Sequence, residues 1–178
     1  MKKLNYRPEI DGLRALAVLP VILFHAGFAH VSGGYIGVDV FFVISGFLIT
    51  GILLRELEAE QFSILAFYER RMRRILPALF LVLTVTMIFG LFVMLPYELA
   101  ALGRGIVAVI FFLSNVLFWS ESGYFAASSE LNPLLHTWSL AIEEQYYILF
   151  PLALWVCWKW SNKGVVLLLG LAALSSLF

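Results

Sequence analysis

A single cysteine, Cys157, excludes an internal disulfide and leaves the redox compartment open. Its simplest role is that of a small apolar residue in a helix. The three histidines, His25, His30 and His136, are too scattered to form a zinc motif. Charge is scarce as well: 13% of the 178 residues are charged, against about 25% in an average soluble domain. Acids and bases cancel to a formal net charge of zero, so no basic field points to nucleic acid. The chain has no internal repeat and no low-complexity tract.

What fills the chain instead is apolar. Hydrophobic residues make up 62% of it, against about 45–50% in soluble domains. That composition predicts an all-α, polytopic transmembrane helical bundle. Five apolar stretches are long enough to span a bilayer, over residues 13–31, 36–54, 76–95, 99–119 and 138–158. An incomplete sixth starts at 165 and runs into "GVVLLLGLAALSSLF", which predicts that residues 1–178 are the N-terminal part of one longer membrane domain. The basic start does not read as a cleaved signal peptide. No small-x-small site follows the first apolar run, and "GGYIGVDVFF" leads straight into a second.

Lys and Arg in short loops set orientation. Lys2, Lys3 and Arg7 precede the first span, and Arg55, Arg70, Arg71, Arg73 and Arg74 lie between the second and third. Residues 29–35 carry none. The N-terminus and residues 55–75 are therefore expected in the cytoplasm. Further along the rule conflicts with simple alternation, because Lys159 and Lys163 would fall outside. A re-entrant segment near residues 120–137 would change the parity.

Several residues do not suit lipid. Arg14 and His25 are eleven residues apart, which returns to within about 20° of one helix face and about 16 Å along it. An intramembrane charge costs at least about 2.5–3.5 kcal/mol on insertion scales. Arg14 therefore either snorkels to set topology or faces a cavity. His25 is either a hydrogen-bonded bundle residue or a base. Asp39, near the start of the second span, is expected at the depth of His25, where a carboxylate would fix the imidazole tautomer. Capping its own helix is the simpler role for Asp39.

The loop "FYERRMRRILPAL" packs four arginines into five residues. It reads equally as a head-group anchor and as a bidentate site for the phosphates of a cytosolic donor. "LLHTWSLAIEEQYYILFP" adds two adjacent acids. If helical from His136, this stretch places Ser139 and Glu143 on the histidine's face, with Glu144 turned about 100° away. Trp138, Tyr146 and Tyr147 then line an interface or a cavity. The alternative is an interfacial helix whose acids face water.

Taken in order, the R-x10-H pair, "GGYIGVDVFFVISGFLIT", "FYERRMRRILPAL" and "LLHTWSLAIEEQYYILFP" resemble the acyltransferase-3 family of integral membrane O-acyltransferases. The likeness runs from Tyr6 to about Pro151. Tyr146 stands where phenylalanine is more usual. The resemblance implies a domain of about ten spans, with an acyl-CoA donor, acetyl-CoA above all, and no permanently bound cofactor or metal. It implies a hydroxyl of a cell-surface or secreted carbohydrate as acceptor, and a bacterial inner membrane as location. It makes Arg14 and His25 essential.

Catalysis is then expected from His25 as base, with Arg14, Asp39 and Glu143. Donor contacts are expected from Arg70, Arg71, Arg73 and Arg74, and substrate contacts from His136, Trp138 and Ser139. A covalent acyl-enzyme on Ser45 or Ser139 has no nucleophile-elbow motif behind it. A proton-coupled transporter would use the same intramembrane acids and histidines as a relay. A non-catalytic scaffold would keep only the helices. Release of free CoA on addition of an acceptor separates the enzyme from both.

Overall fold

The computed structural model describes residues 8–121, 132–160, 164 and 170. Its helices are α1 (Pro8–His25), a 3-10 turn (Ala29–Val31), α2 (Ile36–Glu58), α3 (Ile64–Val93), α4 (Pro96–Ile110), α5 (Ser114–Glu121) and α6 (Thr137–Trp160). No strand occurs among the described residues, in keeping with the all-α expectation. Among them α2, α3 and α6 are long and apolar enough to cross a membrane, three helices where five complete spans were expected. Lys163 and the apolar run from 165 lie outside the described residues, apart from 164 and 170. Two compact units divide the chain, Met1–Gln61 and Phe62–Phe178.

The first unit is a helical hairpin. Pro8 opens α1, where a missing N–H costs nothing, and Glu9 and Asp11 sit in its first turn, favourable to the helix dipole. Expected to run to 31, the helix stops at His25. Gly27 takes the left-handed conformation (φ 77°), with Phe28 N–H bonded to the Leu23 carbonyl and Gly27 N–H to that of Phe24. This is a Schellman stop, the usual work of a glycine. α2 then packs back against α1 almost backbone to backbone. A Cβ on Gly34 would collide with the Pro20 carbonyl, and one on Gly37 with that of Ala17. Small residues at helix interfaces let backbones approach this closely where lipid supplies no hydrophobic drive.

The second unit contains the largest departure from expectation. The apolar stretch 99–119 is not one span but two helices folded back on each other. Arg104 Nε lies 3.5 Å from Glu121 Oε1. In one continuous helix these residues would be about 26 Å apart along the axis. The reversal is made at Phe112, which takes φ 53° and closes a second Schellman stop: Leu113 N–H bonds to Ala108 and Phe112 N–H to Val109. α4, with 15 residues, is about 22 Å long and too short for a hydrocarbon core of about 30 Å.

The arginine run also differs from expectation, being helix rather than loop. Ser63 caps α3 by accepting from Ala66 N–H, and no glycine or proline interrupts residues 64–76. Leu79 and Leu83 of α3, Leu102 and Val109 of α4, and Leu134 form one buried cluster. Tyr68 and Arg71 of α3 meet Ile148 and Tyr147 of α6. Together these contacts make α6 antiparallel to α3.

Candidate active site

In the first unit, Arg14 and His25 occupy α1 as the spacing predicts. The Arg14 guanidinium sits over the Phe41 ring of α2 at 5.2 Å, so the side chain turns toward the partner helix. His25 is exposed. Its Nδ1–H donates to the Val21 carbonyl at 2.8 Å, and its ring meets Phe24 edge-on, with centroids 5.3 Å apart. A carbonyl can only accept, so this bond calls for a proton on Nδ1, and in the neutral ring Nε2 is then the acceptor. The tautomer role expected of Asp39 is thus filled by Val21. Asp39 lies exposed in the first turn of α2, with no hydrogen bond to His25 among the described residues. Ser45 is buried inside the same unit.

In the second unit, α3 and α6 bring the arginines and the acid pair together. The Arg71 guanidinium lies 3.6 Å from the centre of the Tyr147 ring and 6.0 Å from that of Phe67. The Tyr147 hydroxyl donates to Glu143 Oε1, one turn earlier on α6. Glu144 is buried, 6% exposed, and its Oε1 has no hydrogen-bond partner among the described residues. The charges acting on it are those of Arg71, Arg74 and Glu143. Arg71 is therefore half-buried and turned inward. Arg70, Arg73 and Arg74 are exposed, with Arg73 paired to Glu69 at 2.7 Å across one helical turn. The four arginines do not form one surface.

The residues expected to hold substrate cluster at the start of α6. His136 precedes the helix and is exposed, because α6 begins at Thr137. Ser139 Oγ donates to the His136 carbonyl at 3.1 Å, and Trp138 is exposed. No group of three or more His, Cys, Asp or Glu suited to a metal ion occurs among the described residues.

Two residues were not anticipated. Gln145 Nε2 donates to the Phe112 carbonyl at 2.7 Å and to Asn115 Oδ1 at 3.0 Å, and Asn115 Nδ2 donates to Gln145 Oε1 at 3.4 Å. Nearby, Ser114 Oγ donates to the Thr137 carbonyl at 3.0 Å, fully buried. The signal was present in the sequence: amide side chains inside apolar runs need partners, because an unpaired polar group in such surroundings is costly.

Comparison with known proteins adds an independent line. The chain is 43% identical over 179 residues to a peptidoglycan O-acetyltransferase, OatA, of Listeria monocytogenes, covering 98% of this chain and 29% of that protein. It is 38% identical over 175 residues to the O-acetyltransferase OatA of Staphylococcus aureus, covering 97% of this chain and again 29% of the relative. The chain thus spans less than a third of these relatives. No solved structure shows a significant match. The family model described as an acyltransferase domain matches residues 7–178, so the chain belongs to that family of acyltransferases.

Proposed function

We propose that residues 1–178 are the N-terminal part of one membrane acyltransferase domain. Its reaction moves an acetyl group from acetyl-CoA, or another acyl-CoA, to a hydroxyl of a cell-surface carbohydrate. Peptidoglycan is the foremost acceptor, since the Listeria relative carries it in its name. The observation that carries this reading is the His25 ring, exposed and held by its Nδ1 at 2.8 Å from the Val21 carbonyl. Its Nε2 is a base ready for a hydroxyl proton.

In the reaction, Nε2 takes that proton while the hydroxyl oxygen bonds to the thioester carbonyl carbon. The C–S bond then breaks, and CoA leaves as the thiolate and recovers a proton. Arg14 stabilises the oxyanion that forms on the carbonyl oxygen. Asp39 offsets the imidazolium charge from the same hairpin without touching the ring. Glu143 serves proton transfer, and Glu144 balances the charge of Arg71 and Arg74. The exposed Arg70, Arg73 and Arg74 hold the donor's phosphates. His136, Trp138 and Ser139 contact the acceptor.

The membrane is that of a bacterium, the inner one, with the N-terminus cytoplasmic. In this reading α2, α3 and α6 cross it, α1 crosses as a shorter helix of 18 residues, about 27 Å, and the α4–α5 hairpin enters and leaves on the outer side. The antiparallel course of α3 and α6 supports this arrangement. It puts Lys159 on the side of the arginine run, where the positive-inside rule wants it.

The test uses the full-length protein in membranes, with free CoA thiol followed on addition of peptidoglycan fragments. His25→Gln is expected to keep wild-type abundance and lose acceptor-dependent thiol release. An abundant, active His25→Gln removes the base assignment.

A further inference from the structure

We infer that Gln145 is a positioning residue: its clamp on the α4–α5 corner sets the roll of α6 and so aims the acid pair at Arg71. The inference rests on the roles proposed above for Glu143 and Glu144.

Phe112 makes the α4–α5 corner, at φ 53°. A bulky residue in the left-handed region is uncommon, and Phe112 lies past the C-cap of α4, so its carbonyl needs a partner from outside that helix. Gln145 supplies it directly and locks its amide against that of Asn115. These bonds join residues 30 and 33 positions apart. They tie α6 to a corner that is itself fixed by the buried bond from Ser114 to Thr137.

Glu143, Glu144 and Gln145 are consecutive, so they leave α6 in directions about 100° apart. With Gln145 held, the other two directions follow. Glu144 goes to the interior, where the charges of Arg71 and Arg74 reach it, and Glu143 goes to the hydroxyl of Tyr147, the ring that carries the Arg71 guanidinium. An axial roll of α6 by a few tens of degrees would break this aim while leaving its apolar faces in lipid or core. The bond from the Tyr68 hydroxyl to the Ile148 carbonyl ends on backbone, so it fixes the depth of α6 more than its roll.

The experiment has two arms, both on the full-length protein in membranes. The first is independent of turnover. Glu144→Cys is placed in a Cys157→Ser background, and its modification by a small thiol reagent is timed with Gln145 present and with Gln145→Leu. Expected is at least a tenfold faster modification in the Leu variant, while a second cysteine probe, Leu154→Cys at a buried position, stays protected in both. Unchanged protection of the thiol at position 144 overturns the inference, as does exposure of both positions together, which reports unfolding. The second arm is kinetic. Gln145→Leu is expected to lower kcat at least tenfold per folded molecule, with the KM for acetyl-CoA unchanged, and the swap Asn115→Gln with Gln145→Asn to restore most of it. Normal kcat in Gln145→Leu overturns the inference. Failure of the wild type itself to release CoA would instead sink the proposed function and leave the first arm to decide.

Discussion

The Arg71 guanidinium stacks over the Tyr147 ring at 3.6 Å, and the hydroxyl of that ring bonds to Glu143. One arginine of the run is therefore coupled to the acid pair through a tyrosine, and is turned away from the exposed surface of the other three. A cation over an aromatic face is worth about 0.5–1 kcal/mol when exposed and about 2 when desolvated. The four arginines are not equivalent, and single substitutions can tell them apart.

Arg71→Lys keeps the charge and loses the planar stack and the fork. It is expected to lower the thermal midpoint in detergent and reduce kcat, with little change in KM for the donor. Arg74→Lys is expected to raise the KM for acetyl-CoA severalfold at unchanged midpoint, because Arg74 is exposed and can meet phosphates. Steady-state kinetics on purified, full-length variants make the comparison. Equal effects of the two substitutions on KM would return Arg71 to the donor site.

Gly37 should be the least replaceable glycine of the first unit. A Cβ there meets the Ala17 carbonyl, which is backbone and cannot turn aside, whereas nothing lies within 4 Å of a Cβ on Gly51 in the same helix. Overpacking of this kind costs about 1–3 kcal/mol, and a mid-helix glycine-to-alanine change otherwise gains about 0.5–1. Gly37→Ala is expected to cut folded protein severalfold, and Gly51→Ala to leave it level or raise it. Fluorescence-detected size exclusion of tagged variants measures both, and indistinguishable variants would refute the close hairpin.

The fold-back of α4 and α5 makes a cross-linking prediction. Arg104→Cys and Glu121→Cys, in a Cys157→Ser background, are expected to be joined in high yield by a short bifunctional thiol reagent. Proteolysis between them would then fail to separate the fragments on a denaturing gel. In a continuous helix no short reagent could bridge about 26 Å, so free fragments would restore the single span.

How much of this was legible depends on which force decided each element. The apolar runs that became α2 and α6 were plain, since burial in lipid needs only length and hydrophobicity. The reversal inside 99–119 was not, because "VIFFLSN" holds no glycine or proline and Phe112 adopts a conformation that glycine usually supplies. It is held from outside the segment, by Gln145, and such tertiary support leaves no local trace. The charge pattern of the arginine run suggests a loop. Yet Ser63 and an uninterrupted series of helix formers continue α3 through it. The hairpin of His25 and Asp39 was legible in outline, but which group holds the imidazole was not. A helical histidine can reach the carbonyl one turn behind it without any distant partner, as His25 does with Val21.

The adjacent acids carry the most discriminating prediction. Glu143 accepts from Tyr147 and is half-buried, while Glu144 is buried with one oxygen unmatched among the described residues. Glutamine at 143 still offers a carbonyl oxygen to the tyrosine, so Glu143→Gln removes the charge and the proton-transfer capacity while keeping the bond. Turnover is expected to fall by about 10²-fold or more, the range of a lost general acid or base, with abundance intact. At position 144 the balance differs. Arg71 and Arg74 act on Glu144, and losing the acid leaves the half-buried Arg71 without an opposing charge beside the core. Glu144→Gln is therefore expected to reduce folded protein first, with the surviving molecules retaining much of their kcat. Abundance by fluorescence and kcat per folded molecule separate the two outcomes. A mutant at 144 that folds normally and is dead would exchange the roles. Two silent mutants would mean that the acids only face the interface, and that the contact through Tyr147 serves packing alone.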